Sequence, residues 1–367
     1  MTADLRWMRA ALMLAQRGLG RVWPNPAVGC VIVQDSANGG RVVGRGWTQP
    51  SGRPHAEAMA LAQAGASAQG ATAYVSLEPC AHHGKTPPCC DALIAAGIAR
   101  VVSPMEDPDP RVAGQGFARM RAAGLAVDVG LLADEAYLAN EGFLMRQRLG
   151  RPKVTLKLAS SLDGGIATAS GESRWITGPE ARRRVHLMRA QADAIMIGAG
   201  TARADDPGLD VRLNGFGGCD PVPVIVGGRA EDLPAKLSAA LPRRRIWHAC
   251  ETGDLGDYPE GVDAIDIRRG PDGLDLSDLM RALAARGVTR VLSEGGGAMA
   301  ASLIRAELVD EIVWMTAGLT LGADGRSAVG DLALDRLAGA QRYALSHVEQ
   351  LGADCLTIWR PQRQSQA

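Results

Sequence analysis

Lysine is scarce in this sequence: of 40 basic residues only four are lysines (Lys85, Lys153, Lys157 and Lys236), the rest arginines. Aromatic side chains are scarce too, at 4% of 367 residues, too few for the stacking platforms of a single-strand nucleic-acid surface. A charge surplus is missing altogether. Residues 1–150 carry 14 basic against 12 acidic groups, residues 151–367 carry 26 against 28, and the total is 40 against 40. A half that bound a polyanion would show a basic excess, so no nucleic-acid partner is expected. No apolar run reaches the length of about eighteen residues that marks a membrane-crossing helix. The first segment, MTADLRWMRAALMLAQRGLG, sets Leu5, Met8, Leu12 and Ala15 on one helical face among arginines, too interrupted for a signal peptide. The expectation is a cytoplasmic protein with no membrane partner. Its seven cysteines are odd in number and scattered, which argues against a disulfide framework.

Aliphatic residues and glycine are plentiful, with 46% hydrophobic residues and 45 glycines. A chain of this length exceeds one typical core and fits two domains. In the first, AVGCVIV (27–33), ATAYVSL (71–77) and ARVVS (99–103) read as strands, and 56–64, 89–96 and 115–123 as helices. Gly65, Gly97 and Gly124 fall where those helices should stop. The pattern predicts an α/β/α layered sheet. A last helix over 133–148 runs into Gly150-Arg151-Pro152, which sets the domains at 1–148 and 152–362. The second domain opens with a strand at 153–159 and adds strand candidates at 193–198, 222–227, 288–293 and 310–316. WITGPEARRRVHLMRAQ reads as a capped helix, with Thr177 as N-cap and Glu180 completing a capping box.

The densest chemistry lies in PHAEAM and PCAHHGKTPPCC, which hold His55, Glu57, Cys80 and Cys89. His-x-Glu followed by Pro-Cys and a further Cys nine positions on is close to the zinc deaminase signature, in which His and two Cys bind the metal and Glu does not. Three protein ligands leave a tetrahedral position for water, and zinc brings that water's pKa to about 7. Glu57 can then take the proton and hand it to a leaving amine. Cys89 opens a predicted helix, whose N-terminus would favour its thiolate. A structural zinc site would need a fourth ligand, for which His82, His83 and Cys90 are candidates. Cys30, inside a strand, and Cys90 read as packing residues. Lys85, on a Gly-Lys-Thr-Pro loop, can reach a phosphate as a compact cation, although the loop is no P-loop.

In the second half, RVLSEGGGAMAASLIRAEL reads as strand, glycine turn and helix. Such a turn aims the N–H groups of Gly295, Gly296 and Gly297 at a dinucleotide phosphate, or serves as a plain strand-to-helix connection. The acidic residue of a Rossmann unit is missing about twenty residues further on. GTARADDP places Thr201 and Asp205 on a loop after a strand.

PNPAVGCVIV, PHAEAMAL, LEPCAHHGKTPPCC and EDPDPRVAGQG resemble the deaminase half of the bifunctional riboflavin-biosynthesis deaminase–reductase family. LKLASSLDGGIATASGESRWITGPEARR, GAGTARADDPGLDVR and VLSEGGGAMAASLI resemble its reductase half. The resemblance implies a cytidine-deaminase-like N-terminal domain and a dihydrofolate-reductase-like C-terminal domain, using Zn2+ and NADPH on a small pyrimidine ribotide, in a homo-oligomer. It makes His55, Cys80 and Cys89 the zinc ligands and Glu57 the proton shuttle, and gives Asn25, His82 and Lys85 to the deaminase substrate. It gives Ala159, Trp175, Thr201 and Asp205 to the cofactor, and Ser173, Arg189, Leu209, Arg212 and Glu294 to the reductase substrate. Arg189 and Arg212 would offer two guanidinium forks to the phosphate. The chain departs from the family pattern at Asp109, Gly165 and Gly227-Gly228, where Asn, a basic residue and Asp-Ser are usual; Arg229 is the candidate for the cofactor's 2′-phosphate.

Overall fold

The computed structural model describes residues 3–35, 39–82, 87–109, 112–251, 258–270 and 273–362. It divides into two units, Met1–Gly150 and Arg151–Ala367. In the first, strands β1 (Gly29–Gln34), β2 (Arg41–Trp47), β3 (Thr72–Val75), β4 (Arg100–Ser103) and β5 (Ala126–Val129) form one sheet in the order β2-β1-β3-β4-β5. β1 runs antiparallel to both neighbours, whereas β3, β4 and β5 are parallel. Helices α1 (Ala3–Ala15), α2 (Ala56–Ala64), α3 (Cys89–Ala95), α4 (Gln115–Ala122) and α5 (Ala133–Leu149) cover it. Alternation along β1 sends Cys30 and Ile32 into the cluster under α2, α3 and α4, and Val31 and Val33 into the cluster under α1. That is the α/β/α layering read from the sequence.

β2 was not legible as a strand, because its two glycines break the run RVVGRGW. They are there for α2. A β-carbon on Gly44 would stand 2.1 Å from the Ala60 carbonyl oxygen, and one on Gly46 would stand 2.4 Å from that of Ala56. α2 answers with Ala56, Ala60 and Ala64, so helix and strand meet almost backbone to backbone. Since α2 carries Glu57 in its first turn, this contact sets the depth of the site. A Gly46→Val variant is expected to lose about 1–3 kcal/mol and to bind metal more weakly, measured by denaturant melts and metal titration.

The second unit contains β6 (Lys153–Ser160), β7 (Gly165–Ala167), β8 (Ala194–Gly198), β9 (Val222–Val226), β10 (Ile246–Cys250), β11 (Val262–Asp266), β12 (Arg269–Gly270), β13 (Gly273–Leu274), β14 (Arg290–Ser293), β15 (Glu311–Thr316), β16 (Arg326–Ser327), β17 (Tyr343–Leu351) and β18 (Asp354–Pro361). Nine of them make one sheet, β11-β10-β9-β8-β14-β6-β15-β18-β17, and β16-β7 and β12-β13 are small separate ladders. The strands from β11 to β15 are parallel, and β18 and β17 close one edge as an antiparallel hairpin. Helices α6 (Pro179–Ala190), α7 (Ala199–Asp205), α8 (Ala235–Ser238), α9 (Leu276–Ala285) and α10 (Gly297–Arg305) complete the unit. The ends of β8 and β14 lie side by side, at the position where open α/β sheets bind ligands.

Two local expectations change. α6 is capped at Gly178 rather than Thr177, with no side-chain cap. Pro179 occupies the first turn and starts the helix one residue later, while the Gly178 N–H goes to Asp354 Oδ2 at 2.6 Å. Thr201 and Asp205 lie on α7, not on a loop.

Candidate active sites

In the first unit the sequence folds four separated residues into one cluster. His55 is the N-cap of α2, Glu57 lies in that helix's first turn, Cys80 follows β3, and Cys89 opens α3. The ligand atoms of His55, Cys80 and Cys89 all fall within 4.8 Å of one another. His55 Nδ1 is 3.2 Å from Cys89 Sγ and 3.7 Å from Cys80 Sγ, which makes Nδ1 the metal-facing nitrogen. An imidazole and two sulfurs converging on a point are the donor set zinc prefers. Among the described residues the group stops at three. Cys90 is buried in the core cluster and its thiol turns to Asp91, so it supplies no fourth ligand. Cys30 is likewise core. His83 and Lys85 lie outside the described residues.

The N–H at the start of α3, that of Cys89, points at Cys80 Sγ over 3.3 Å. The hydrogen bond from the Cys89 thiol, with those of His55 and the Cys89 backbone, brings Cys80 down to about 4, while its thiolate and burial push Cys89 up. The helix end thus also faces the Cys80 sulfur, across the gap. A bound metal displaces the remaining proton. Glu57 is 3% exposed. Burial, followed by the Cys80 charge, raises its carboxyl to about 7, close to the ideal for shuttling protons near neutrality.

The surroundings are tightly fixed. The Asn25 amide lies on Gly52, where a β-carbon would stand 2.1 Å from Nδ2 and φ is +84°. That brings Asn25 against the segment leading into His55. His82 Nδ1 is buried without a hydrogen-bond partner among the described residues, open to a ligand acceptor or donor. Glu78, which sequence reasoning missed, accepts four backbone N–H groups, from Asp107, Gly114, Gly116 and Phe117. It thereby ties Asp107, Gly114 and the first turn of α4 to the chain entering Cys80. Asp109 is buried beside Asp107, whose carboxyl is pushed up to about 6, chiefly by burial. No periodicity marks such a carboxylate, because its partners are backbone groups.

In the second unit a cavity of about 1450 Å³ gathers Ala159, Ser173, Trp175, Arg189, Thr201, Asp205, Leu209, Arg212 and Glu294. Its volume exceeds the roughly 300–1,000 Å³ of a single small-molecule site, enough for a dinucleotide and a second molecule. Gly295, Gly296 and Gly297 form the turn from β14 into α10, and the Gly296 N–H donates to Thr201 Oγ1 at 3.2 Å. A β-carbon at Gly297 would stand 2.6 Å from the Ser327 carbonyl oxygen, so this turn admits no side chain there. Trp175 is 67% exposed at the rim, with the Arg182 guanidinium 4.6 Å above its ring. Leu209 is buried and adopts a left-handed φ of +50°; Arg244 donates to its carbonyl oxygen and to that of Gly208.

Arg189 does not offer a free fork. Its Nε and Nη2 donate to Glu294 Oε1 and Oε2 at 2.7 and 2.8 Å, and its Nη1 donates to the Asp210 carbonyl at 3.0 Å. Arg189 on α6 faces Glu294, directly after β14, and a buried guanidinium takes the nearest carboxylate. Burial alone would raise Glu294, but the Arg189 charge and hydrogen bonds, with the Lys157 charge, together outweigh it and hold the carboxyl below its ordinary value. Arg212, by contrast, has a side chain 68% exposed and only a 3.7 Å approach to Asp210. Lys157, also missed, lines the same cavity on β6, two residues before Ala159, and burial lowers its ammonium pKa. Its signal in the sequence was its rarity, one of four lysines placed in a strand. Arg229 is exposed and faces Glu231 at 3.8 Å. Gly228 leaves no room beside it, since a β-carbon would stand 2.6 Å from Ala199 Cβ and from Asp232 Oδ2.

Residues 152–357 match the family described as RibD C-terminal domain, and residues 1–105 match the cytidine and deoxycytidylate deaminase zinc-binding region. The riboflavin biosynthesis protein RibD of Escherichia coli K12 is 44% identical, over 97% of this chain and 99% of its own length. That of Aquifex aeolicus is 37% identical, over 97% and 98%. Among solved structures, Acinetobacter baumannii RibD superposes with a TM-score of 0.86 at 38% identity, covering 98% of this chain and 99% of that one. A Thermotoga maritima diaminohydroxyphosphoribosylaminopyrimidine deaminase/5-amino-6-(5-phosphoribosylamino)uracil reductase gives 0.86 at 34% identity, with the same coverage. No helix among the described residues is long and apolar enough to cross a membrane.

Proposed function

This chain belongs to the RibD family of riboflavin biosynthesis proteins, and on that premise we propose how its own residues divide the family's two reactions. The chain is a zinc-dependent deaminase and an NADPH-dependent reductase, acting in turn on a pyrimidine ribotide. Residues 1–148 carry the deamination and residues 152–362 the reduction. What supports the first assignment most is a buried carboxylate, Glu57, beside three converging metal ligands.

His55, Cys80 and Cys89 hold the zinc, which when bound supplies the Lewis acidity that activates water. Glu57 would take a proton from the attacking water, whose oxygen bonds to the amino-bearing carbon, and deliver it to the departing amine, so that the C–N bond breaks as the C–O bond forms and ammonia leaves. Asn25, His82 and Lys85 hold 2,5-diamino-6-ribosylamino-4(3H)-pyrimidinone 5′-phosphate with its amino-bearing carbon at the metal. In the second unit Ala159, Trp175, Thr201, Asp205 and the Gly295–Gly297 turn hold NADPH, which supplies the hydride that turns the ribosyl side chain into ribityl. Ser173, Leu209, Arg212 and Glu294 bind the ribotide, and Arg189 acts there by fixing Glu294. Arg212 meets the phosphate, since its fork is the open one.

The protein works in the cytoplasm, in keeping with seven cysteines that are all free. It assembles as a homo-oligomer. β17 supports this, as an open sheet edge with Leu345 and Val348 half exposed, the kind of edge that pairs with another strand; light scattering of the purified chain tests it. For the activity, ammonia and NADPH are followed together on the diaminopyrimidinone ribotide. Equal amounts of ammonia released and NADPH oxidised, with oxidation lagging, are expected. Ammonia without oxidation would remove the second assignment, and silence in both from folded, zinc-loaded protein would remove the substrate.

A further inference from the structure

His186 lies one turn before Arg189 on α6, and both line the reductase cavity. Its Nδ1 stands 3.1 Å from the Asp210 carbonyl oxygen and 3.2 Å from the Arg212 backbone nitrogen. A single ring nitrogen cannot donate to the first and accept from the second at once. The Asp210 carbonyl is already served by Arg189 Nη1 at 3.0 Å, whereas the Arg212 N–H has no other acceptor among the described residues. A backbone N–H seldom goes unpaired, so Nδ1 is the acceptor. A ring whose Nδ1 accepts carries no proton there, and burial, then the charges of Arg189 and Arg212, hold the imidazole below its ordinary value in the same sense. Its one proton is therefore on Nε2, which makes no hydrogen bond among the described residues.

Resting on the substrate placement proposed above, we propose that His186 is a further substrate-binding residue of the reductase, donating its Nε2–H to an oxygen of the substrate's phosphate monoester beside Arg212. The Arg212 backbone fixes the ring's tautomer, so the exposed guanidinium and the imidazole donor belong to one local unit. Arg189 cannot take this part, because its fork is closed on Glu294. A phosphate of NADPH would satisfy the same donor, and the experiment separates the two.

The full-length protein is given the deaminated ribotide or its unphosphorylated riboside, with NADPH, and KM is measured for each. His186→Asn keeps an acceptor near the position of Nδ1 but has nothing at Nε2; His186→Gln puts an amide N–H near Nε2. His186→Asn should raise the ribotide KM about tenfold or more, the loss of a hydrogen bond to a charged group. The riboside KM, the NADPH KM and the thermal midpoint should hold, and His186→Gln should return the ribotide KM to within about threefold. If His186→Asn behaves as the wild type and His186→Gln does not, the ring merely holds the 210–212 loop and the inference falls. It falls equally if the NADPH KM moves in place of the ribotide KM, or if no KM moves. Arg212→Ala tests the parent placement separately. Should it weaken ribotide binding while His186→Asn does not, the placement stands without this inference; the reverse result keeps His186 and removes the arginine.

Discussion

A Glu57→Gln variant will keep its metal and its fold and will release ammonia at least about 10²- to 10⁴-fold more slowly, the usual contribution of a positioned proton shuttle. The zinc ligands are other residues, and glutamine fills the same buried volume, so metal analysis should give an undiminished zinc content. NADPH oxidation on ready-deaminated ribotide should persist, because the second cavity is lined entirely by residues from Lys157 onward. The same substitution makes a prediction about stability. Burial raises the Glu57 carboxyl from 4.5 to about 7, so the stability it contributes is complete below about pH 4.5 and is lost as pH rises through 7. Above pH 7 the metal-free fold holds an ionised, buried carboxylate. Metal-free Glu57→Gln should therefore be the more stable protein at pH 8, by at most about 3 kcal/mol, with the advantage vanishing below about pH 5. Denaturant melts of chelator-treated protein at the two pH values measure it. A wild type as stable as the variant at pH 8 would mean that Glu57 is not the desolvated base described here.

The zinc centre was legible in the sequence because its chemistry is local: His55 and Glu57 share one helix start, and Cys80 and Cys89 lie on either side of one loop. Helix ends and glycine stops marked the first unit's layers for the same reason. What escaped depended on partners distant in the chain. β2 looked unlike a strand because Gly44 and Gly46 answer to the alanines of α2, and the β17–β18 hairpin has too exposed a pattern to stand out. Thr177 lost its cap role because Pro179 starts the helix one residue later, and the part the capping box gave to Glu180, accepting the N-cap N–H, went to Asp354, more than 170 residues away in sequence. Glu78 and His186 hold backbone groups of remote loops, and a sequence offers no sign of that. Arg189 was placed in the right cavity for a role its ion pair does not leave open.

That pair makes the second large prediction. The side chains of Arg189 and Glu294 are only 11% and 9% exposed and meet through two short hydrogen bonds. Removing one charge of a buried pair strands the other, at about 3–5 kcal/mol. Glu294→Gln is accordingly expected to lower the stability of the reductase unit by about that much while the deaminase unit keeps its own transition, and to slow NADPH oxidation about a hundredfold or more, given the substrate contact proposed for Glu294, which lines the cavity. Stability and chemistry can be separated by removing both charges. Glu294→Gln with Arg189→Met leaves no stranded guanidinium, and replacing a whole buried pair is often nearly neutral, so the double variant should recover most of the lost stability without recovering the oxidation rate. Recovery of both would make the pair a purely structural clamp. Failure of the single variant to change either the melt or the rate would mean that solvent reaches Arg189 and that the cavity floor is held by other contacts.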